Sequence, residues 1–402
     1  MTAGRNNGLL WSGSMLCIGA AAPLLTMGRI TMLAVFALGI VLGLVAVFRD
    51  RRREIVPVAV SARVSVLLLL GFLVVAALSS GMSPWPEDAL LKTGDLALQI
   101  LLVLSALLIV HLCPDESRRL LVLVFLTAVA VASLFALGDS ANCVANAEIN
   151  ELYRWCTKRS RHRGTAFAVL LPLMVGLLAS SNRTGSRQHI GTLEALCVGA
   201  LAMVVFLSGS RSGMIAATGG LAVLTVFAVV QGYFGLIWKA LVAVVLAFGA
   251  SLAALALYAP LIVEQRLVTS HTEFGAFNGR EAAWRAAIQM WSENPLLGVG
   301  VWNFRQFADG FSHPHNFVLE VMADTGTLGA LVLGGVLLLL AVRLLARVRL
   351  GPASAGLAAS VATFFAAASA ATSFFYGWWL CILFAALAIG MAASKLEADN
   401  GR

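Results

Sequence analysis

Long apolar stretches, separated by short polar ones, dominate the chain. About 20 apolar residues make a helix long enough to cross a bilayer, and blocks such as ITMLAVFALGIVLGLVAVF from Ile30 contain no charged residue. The pattern predicts an all-α polytopic membrane protein in which residues 1–402 form a single membrane domain. It predicts twelve transmembrane helices, near residues 9–27, 30–48, 58–80, 95–112, 119–137, 165–181, 190–208, 213–231, 236–258, 317–342, 355–374 and 378–393.

Composition excludes a soluble globular protein. Apolar residues make up 60% of the chain and charged residues 12%, whereas soluble domains carry about 25% charged residues. In a soluble protein the net charge of +8 would suggest nucleic acid as a partner. Here much of the positive charge lies in short loops beside apolar blocks, so we expect a lipid bilayer as the partner and no nucleic acid.

Lysine and arginine in short loops predict the orientation of the chain, because such loops favour the cytoplasm. Basic residues follow the second, fourth, sixth and tenth helices, at Arg49, Arg51, Arg52, Arg53, Arg118, Arg119, Arg183, Arg187, Arg343, Arg347 and Arg349. Both termini are then cytoplasmic, and the two longest connections, 138–164 and 259–316, lie on the outer face.

These two outer connections are unexpectedly basic. The first carries Arg154, Lys158, Arg159, Arg161 and Arg163, and the second carries Arg266, Arg280, Arg285 and Arg305. Long loops cross membranes largely regardless of charge, so a solvated basic loop is one interpretation. An anionic ligand on the outer face is the other.

Arg211 favours the anionic ligand. It lies in SGSRSG (208–213), between two apolar blocks with almost no loop around it. An arginine at bilayer depth costs about 2.5–3.5 kcal/mol on insertion scales and usually faces a cavity or a partner. We therefore interpret Arg211 as a cavity arginine.

The second outer connection contains an amphipathic pattern in NGREAAWRAAIQMWSENP (278–295). Trp284, Ala287, Ile288 and Trp291 recur at helical spacing, so a helix is predicted near 279–293. Tryptophans on one face suit a helix that lies at the membrane surface, where it would hold Arg280 beside the helix bundle. A loop helix that is merely packed explains the tryptophans equally well.

Histidines and carboxylates collect at the outer end of the tenth apolar block, where the segment FSHPHNFVLEVMAD begins at Phe311. Asp309, His313, His315, Glu320 and Asp324 could serve as a general base, a metal site or structural groups. Zinc needs three or four well-spaced ligands, and His313-Pro-His315 supplies two, so we expect no metal. Imidazole can accept a proton from a hydroxyl near neutral pH, and nearby arginines suit an anionic leaving group.

Three motifs in this half of the chain resemble those of bacterial O-antigen ligases. His315-Asn316, nine residues and then Gly326-Thr-Leu-Gly329 match the pattern H-[NSQ]-x9-G-x-x-G. NPLLGVGVWNF (294–304), preceded by Gly279-Arg280, resembles the large periplasmic loop of that family, and SGSRSG resembles its arginine-bearing helix start. The resemblance is strongest over 208–329 and extends to O-antigen polymerases and protein O-oligosaccharyltransferases.

The resemblance implies a C-type membrane glycosyltransferase fold with a large helical periplasmic loop, in the bacterial inner membrane. Such a ligase moves a glycan from undecaprenyl diphosphate to a sugar hydroxyl of lipid A-core on the periplasmic face, with inversion and without metal or cofactor. It implies His315 as the general base. The residues expected to bind substrate, with diphosphate on the arginines, are Arg211, Arg280, Arg163, His313 and Asn316.

Several alternatives stay open at this point. Arg159 and Arg161 are near enough to replace Arg163 as the third arginine, and a polymerase would use the same residues with a different acceptor. A secondary transporter is a more distant alternative, because it also has many helices and intramembrane charge. Cys143 and Cys156 share the first outer connection and could form a disulfide in an oxidising compartment.

Overall fold

The computed structural model describes residues 2–51, 54–145, 150–184, 191–208, 210–258, 280–308, 310–370 and 372–400. Within these ranges its fifteen helices are α1 (Thr2–Ala21), α2 (Arg29–Asp50), α3 (Ile55–Ser61), α4 (Arg63–Gly81), α5 (Pro86–Leu112), α6 (Asp115–Ala145), α7 (Asn150–Thr184), α8 (Thr192–Leu207), α9 (Arg211–Val230), α10 (Phe234–Tyr258), α11 (Arg280–Glu293), α12 (Phe304–Phe307), α13 (Phe317–Val348), α14 (Pro352–Ala368) and α15 (Gly377–Asn400).

Nine of the described helices are long and apolar enough to cross a membrane: α2, α4, α5, α6, α7, α9, α10, α13 and α15. Helices α8 and α14 are apolar but shorter. Together with α1, these helices occupy the twelve positions that hydropathy predicts, although α1 does not itself qualify as a spanning helix. The prediction of an all-α polytopic membrane protein is confirmed.

Helices α7 and α15 form the centre of the bundle. Their apolar windows are 89% and 83% buried, whereas those of the other candidate spans are 17–39% buried. Glycines let α7 approach α14 closely, because a Cβ on Gly176 would lie 2.5 Å from the Pro352 oxygen and 2.7 Å from the Gly356 Cα. Small residues at such crossings are how membrane helices pack without a hydrophobic driving force.

The connection predicted at 138–164 consists mostly of helix in the described residues. Helix α6 continues to Ala145 and α7 begins at Asn150. Hydropathy shows where the apolar part of a helix ends, and polar residues then continue the same backbone hydrogen bonding beyond it. The side chains of Cys143 and Cys156 lie outside the described residues.

Several interhelical connections meet on one face of the bundle, which we call the site face. There Arg163 of α7 reaches the Thr26 carbonyl before α2, and Arg29 lies over the ring of Trp378 in α15. The opposite face holds the two chain ends. Trp11 of α1 donates to Asp50, and Lys395 of α15 donates to the His111 carbonyl. Chain ends on a shared face agree with an even number of membrane crossings.

Candidate functional site

Helix α13 is interrupted near its start, at Gly326, where the backbone adopts φ 67° and ψ −170°. The break frees carbonyls before the glycine and amides after it, and a buried backbone group needs a partner. The loop that follows α11 supplies the partners. The four bonds are Val299 N to Ala323 O (3.0 Å), Gly300 N to Asp324 O (2.9 Å), Thr327 N to Pro295 O (2.8 Å) and Leu328 N to Leu296 O (3.2 Å).

Glycine is required at this contact because two backbones touch. A Cβ on Gly326 would lie 2.2 Å from the Leu296 oxygen, and one on Gly298 would lie 2.5 Å from the Ala323 oxygen. Both glycines also have positive φ, 67° and 68°, which side chains disfavour. The G-x-x-G motif and the NPLLGVGVWNF motif are therefore two halves of one interlocked structure.

Two buried carboxylates of α13 organise the loops beside this break. Asp324 accepts a hydrogen bond from the backbone N–H of Trp302 at 2.8 Å. Glu320, one turn earlier, accepts from the Ser373 hydroxyl and from the Phe374 N–H. A buried carboxylate needs such partners. The sequence places these acids beside the histidines, and the structure shows that they hold the two loops that carry Trp302 and Tyr376.

The two histidines lie directly before α13, with ring centroids 4.1 Å apart. His315 has φ 54°, a conformation that few residues other than glycine adopt. Asn316 starts the helix, because its side-chain oxygen accepts from the N–H groups of Val318 and Leu319 at 3.1 and 3.2 Å. The amide oxygen of Asn316 is thus occupied as a helix cap, next to the imidazole of His315.

The two imidazoles differ in how deeply they are buried. Burial, with smaller contributions from His315, His162 and Arg280, lowers the pKa of His313 to about 3. His313 is therefore neutral at physiological pH and a poor proton acceptor, while its Nδ1 lies 2.9 Å from the Ser312 hydroxyl. His315 is only half-buried. Among the described residues, no group of three His, Cys, Asp or Glu side chains could hold a metal ion.

Two predicted arginines, Arg211 and Arg280, lie near enough for their charges to interact. Arg211 is the first residue of α9, where the Ser210 hydroxyl caps the helix by accepting from the Gly213 N–H. Arg280 is the first residue of α11. Burial lowers the pKa of Arg280, and the positive charge of Arg211 lowers it further. In the described ranges neither guanidinium forms an ion pair with a carboxylate.

Arg163, the predicted third arginine, is engaged elsewhere. Its buried guanidinium forms an ion pair with Asp139 of α6 and donates to the Thr26 carbonyl. The geometry therefore gives no support to Arg163 as a substrate ligand. The preceding residue, His162, instead contributes to the electrostatic environment of His313 and packs against Trp378, with ring centroids 5.2 Å apart.

Aromatic side chains border the histidines, and the sequence analysis does not single them out. The Tyr376 ring lies 5.7 Å from His313 and 4.9 Å from Trp302, measured between centroids. Trp302 follows α11 and Tyr376 precedes α15, so 74 residues separate them (376 − 302). No periodicity or motif could connect residues so far apart. The site thus combines His162, Arg211, Arg280, Trp302, His313, His315 and Tyr376.

Residues 196–334 match the family model described as O-antigen ligase. The matched segment includes Arg211, Arg280, both histidines and the interlocked glycines, whereas His162 and Tyr376 lie outside it. No curated protein matches the chain. The match confirms the resemblance of the sequence motifs: residues 196–334 of this chain are similar to the O-antigen ligase family.

Proposed function

We propose that this protein is an O-antigen ligase that moves a glycan from undecaprenyl diphosphate to a sugar hydroxyl of lipid A-core on the periplasmic face of the inner membrane. The family match supports the coarser activity, a ligase or polymerase of lipid-linked glycans. The observation that supports a diphosphate donor is the Arg211–Arg280 pair, which lies near enough to the histidines for the charge of Arg280 to lower the pKa of His313.

The arginine pair suits a diphosphate. Two guanidinium groups held close together repel each other, and an anion between them removes the repulsion. Guanidinium also donates in a fork that matches phosphate oxygens. As the bond from the anomeric carbon to the diphosphate oxygen breaks, negative charge grows on that oxygen, and a pre-placed cation pair stabilises it. Arg211 and Arg280 are the described residues that fit this role.

His315 is the residue proposed to accept the proton of the acceptor hydroxyl. The hydroxyl oxygen attacks the anomeric carbon, its proton passes to the imidazole, and undecaprenyl diphosphate departs with the bonding electrons. One displacement of this kind inverts the anomeric carbon. His313 is the weaker base, because its pKa of about 3 leaves it little affinity for a proton. Its ring packs on His315 and is proposed to orient it.

An O-antigen polymerase would use the same chemistry with a second lipid-linked glycan as the acceptor. The family match does not separate the two activities, since both acceptors offer a sugar hydroxyl. The experiment must therefore contain both acceptors. A transporter is separated by the same experiment, because it forms no glycosidic bond.

The test is transfer in liposomes that contain purified protein, glycan-diphosphate-undecaprenol, lipid A-core and EDTA. We expect the wild type to glycosylate lipid A-core and His315→Gln to lose at least 100-fold in rate, on the order of the contribution of general base catalysis. His111→Gln is the matched control, because His111 ends α5 at the opposite face, and it should retain wild-type activity.

Each other outcome has a distinct meaning. Elongation of the donor glycan, with lipid A-core unmodified, would assign the protein to the polymerases. A fully active His315→Gln variant would remove His315 from the proposed role. Loss of product only when EDTA is added would contradict metal independence, and no product with either acceptor would reject the proposed function.

A further inference from the structure

We propose that Trp302 and Tyr376 form a platform that binds the acceptor sugar, the one whose hydroxyl faces His315. This proposal rests on the proposed function and names a binding site for its second substrate. The two aromatic side chains come from loops other than the one that carries His315, and they lie outside helix α9, which begins with Arg211. The bundle brings these loops together on the site face.

The platform is continuous with the imidazole pair. Successive centroids lie 4.9 Å apart from Trp302 to Tyr376, 5.7 Å from Tyr376 to His313 and 4.1 Å from His313 to His315. Trp302 and Tyr376 are half-buried and keep part of their surface exposed. Trp378 is 4% exposed and packs against Tyr376, so it is excluded from the platform.

Ring faces carry negative charge in their π systems, and the C–H groups of a sugar ring are weakly positive, so the two stack. Charged groups around Trp302 add partners for hydroxyl groups. The Lys92 Nζ and the Arg305 Cζ lie over the Trp302 ring, 5.9 and 6.0 Å from its centroid. Each cation is itself paired, Lys92 with Asp95 at 2.8 Å and Arg305 with Asp88 at 3.1 Å.

The ion pairs of Lys92 and Arg305 distinguish the platform from Arg211 and Arg280. Carboxylates beside cations supply both acceptors and donors, which a polyol needs, and they cancel the positive charge that would attract a phosphate. Arg211 and Arg280 present positive charge without a carboxylate partner in the described ranges. The diphosphate is therefore assigned to the arginines and the neutral acceptor sugar to the aromatic platform, with the imidazoles adjoining the platform.

The platform is also held in place by the fold. Trp302 has φ 71°, an unfavourable value for a bulky side chain, and the buried Asp324 accepts its N–H. Glu320 holds the loop before Tyr376 through Phe374. Strained backbone that the surrounding structure maintains is characteristic of binding sites. A ring fixed before the ligand arrives loses little entropy on binding.

The experiment measures KM separately for acceptor and donor in the liposome assay. We expect Trp302→Leu and Tyr376→Leu each to raise the acceptor KM about tenfold, the size of one aromatic contact, with a donor KM within about twofold of wild type. Trp238→Leu is the control. Trp238 is 44% exposed and has Lys239 at 5.8 Å from its ring centroid, but it lies in α10, at the opposite face.

A raised donor KM with an unchanged acceptor KM would overturn the proposal, and so would two variants with wild-type constants. If the leucine variants do not fold, the proposal is tested by the binding of acceptor to the protein in the absence of donor, measured by tryptophan fluorescence. Acceptor should change the tryptophan fluorescence of the wild type and not that of Trp302→Phe, and an equal change in both would overturn the platform. Wild-type protein that transfers nothing would instead reject the proposed function, which is a different outcome.

Discussion

Replacing Gly326 with alanine should destabilise the structure that joins the two sequence motifs. At this position the backbone has φ 67° and ψ −170°, a region that essentially only glycine occupies. The added Cβ would lie 2.2 Å from the Leu296 oxygen, 2.3 Å from the Leu296 carbonyl carbon and 2.5 Å from the Leu297 nitrogen. These atoms belong to a backbone, so no side-chain rotation relieves the overlap.

The magnitude follows from two costs. An L-residue in this region of φ and ψ costs about 1–3 kcal/mol. To remove the overlap, the loop must move away from the break, which lengthens the bonds from Thr327 N to Pro295 O and from Leu328 N to Leu296 O. Each such bond contributes about 1 kcal/mol. Together they predict a loss of about 3–5 kcal/mol, at the large end for single substitutions.

Thermal unfolding of purified protein in detergent measures this effect, with the acceptor-transfer rate measured in parallel. Gly334→Ala is the matched control in the same helix, because a Cβ there has no neighbour within 4 Å, and we expect its Tm to equal or slightly exceed that of wild type. Gly326→Ala should lower Tm by several degrees and lose transfer activity, since the bonds at the break hold the loop that carries Trp302. Equal Tm values for the two variants would refute the reasoning.

Three further predictions concern groups around the site. The pKa of His313 is about 3 in the folded protein, below the usual value of about 6.5 in the unfolded chain, so stability should fall as pH drops below 6.5, by roughly 1 kcal/mol at pH 5.5. His313→Gln should show a smaller loss of Tm between pH 7.5 and 5.5, and an equal loss would contradict this. Arg163→Met should lower Tm by removing the bonds to Asp139 and Thr26, and the donor KM should stay unchanged. A raised donor KM at an unchanged Tm would instead identify Arg163 as a diphosphate ligand. Asp324→Ala should leave the partly buried Trp302 N–H without its acceptor, at a cost of about 1–3 kcal/mol, and raise the acceptor KM. A lowered Tm without any change in KM would limit Asp324 to a structural role.

The fold could be predicted from the sequence because helices in a membrane satisfy their own backbone hydrogen bonds and differ from loops in hydropathy. The apolar blocks coincide with α1, α2, α4 to α10 and α13 to α15. The helix near 279–293 lies at Arg280–Glu293, because tryptophan and alanine at helical spacing define one face. The polar ends of α6 and α7 could not be recognised in this way, since hydropathy falls where the helix enters water and the hydrogen bonding continues.

Only part of the site could be predicted from the sequence. Arg211, Arg280 and the two histidines were found because each is an unusual residue in an apolar sequence or belongs to a motif. His162 was not distinguished from its basic neighbours in RHRG, since α7 places His162 and Arg163 about 100° apart around its axis. The tertiary structure engages Arg163 with Asp139 and sets His162 against Trp378.

The sequence by itself determined the helical membrane class, the approximate number of apolar helices and the segment 208–329 that carries the family motifs, because hydrophobicity and local spacing are properties of neighbouring residues. Only the tertiary structure decided which carboxylates hold loops, which imidazole is buried and which aromatic rings border it. Those properties depend on contacts between segments far apart in the chain. The pKa of His313, for example, depends on its burial and on His162, 151 residues earlier (313 − 162).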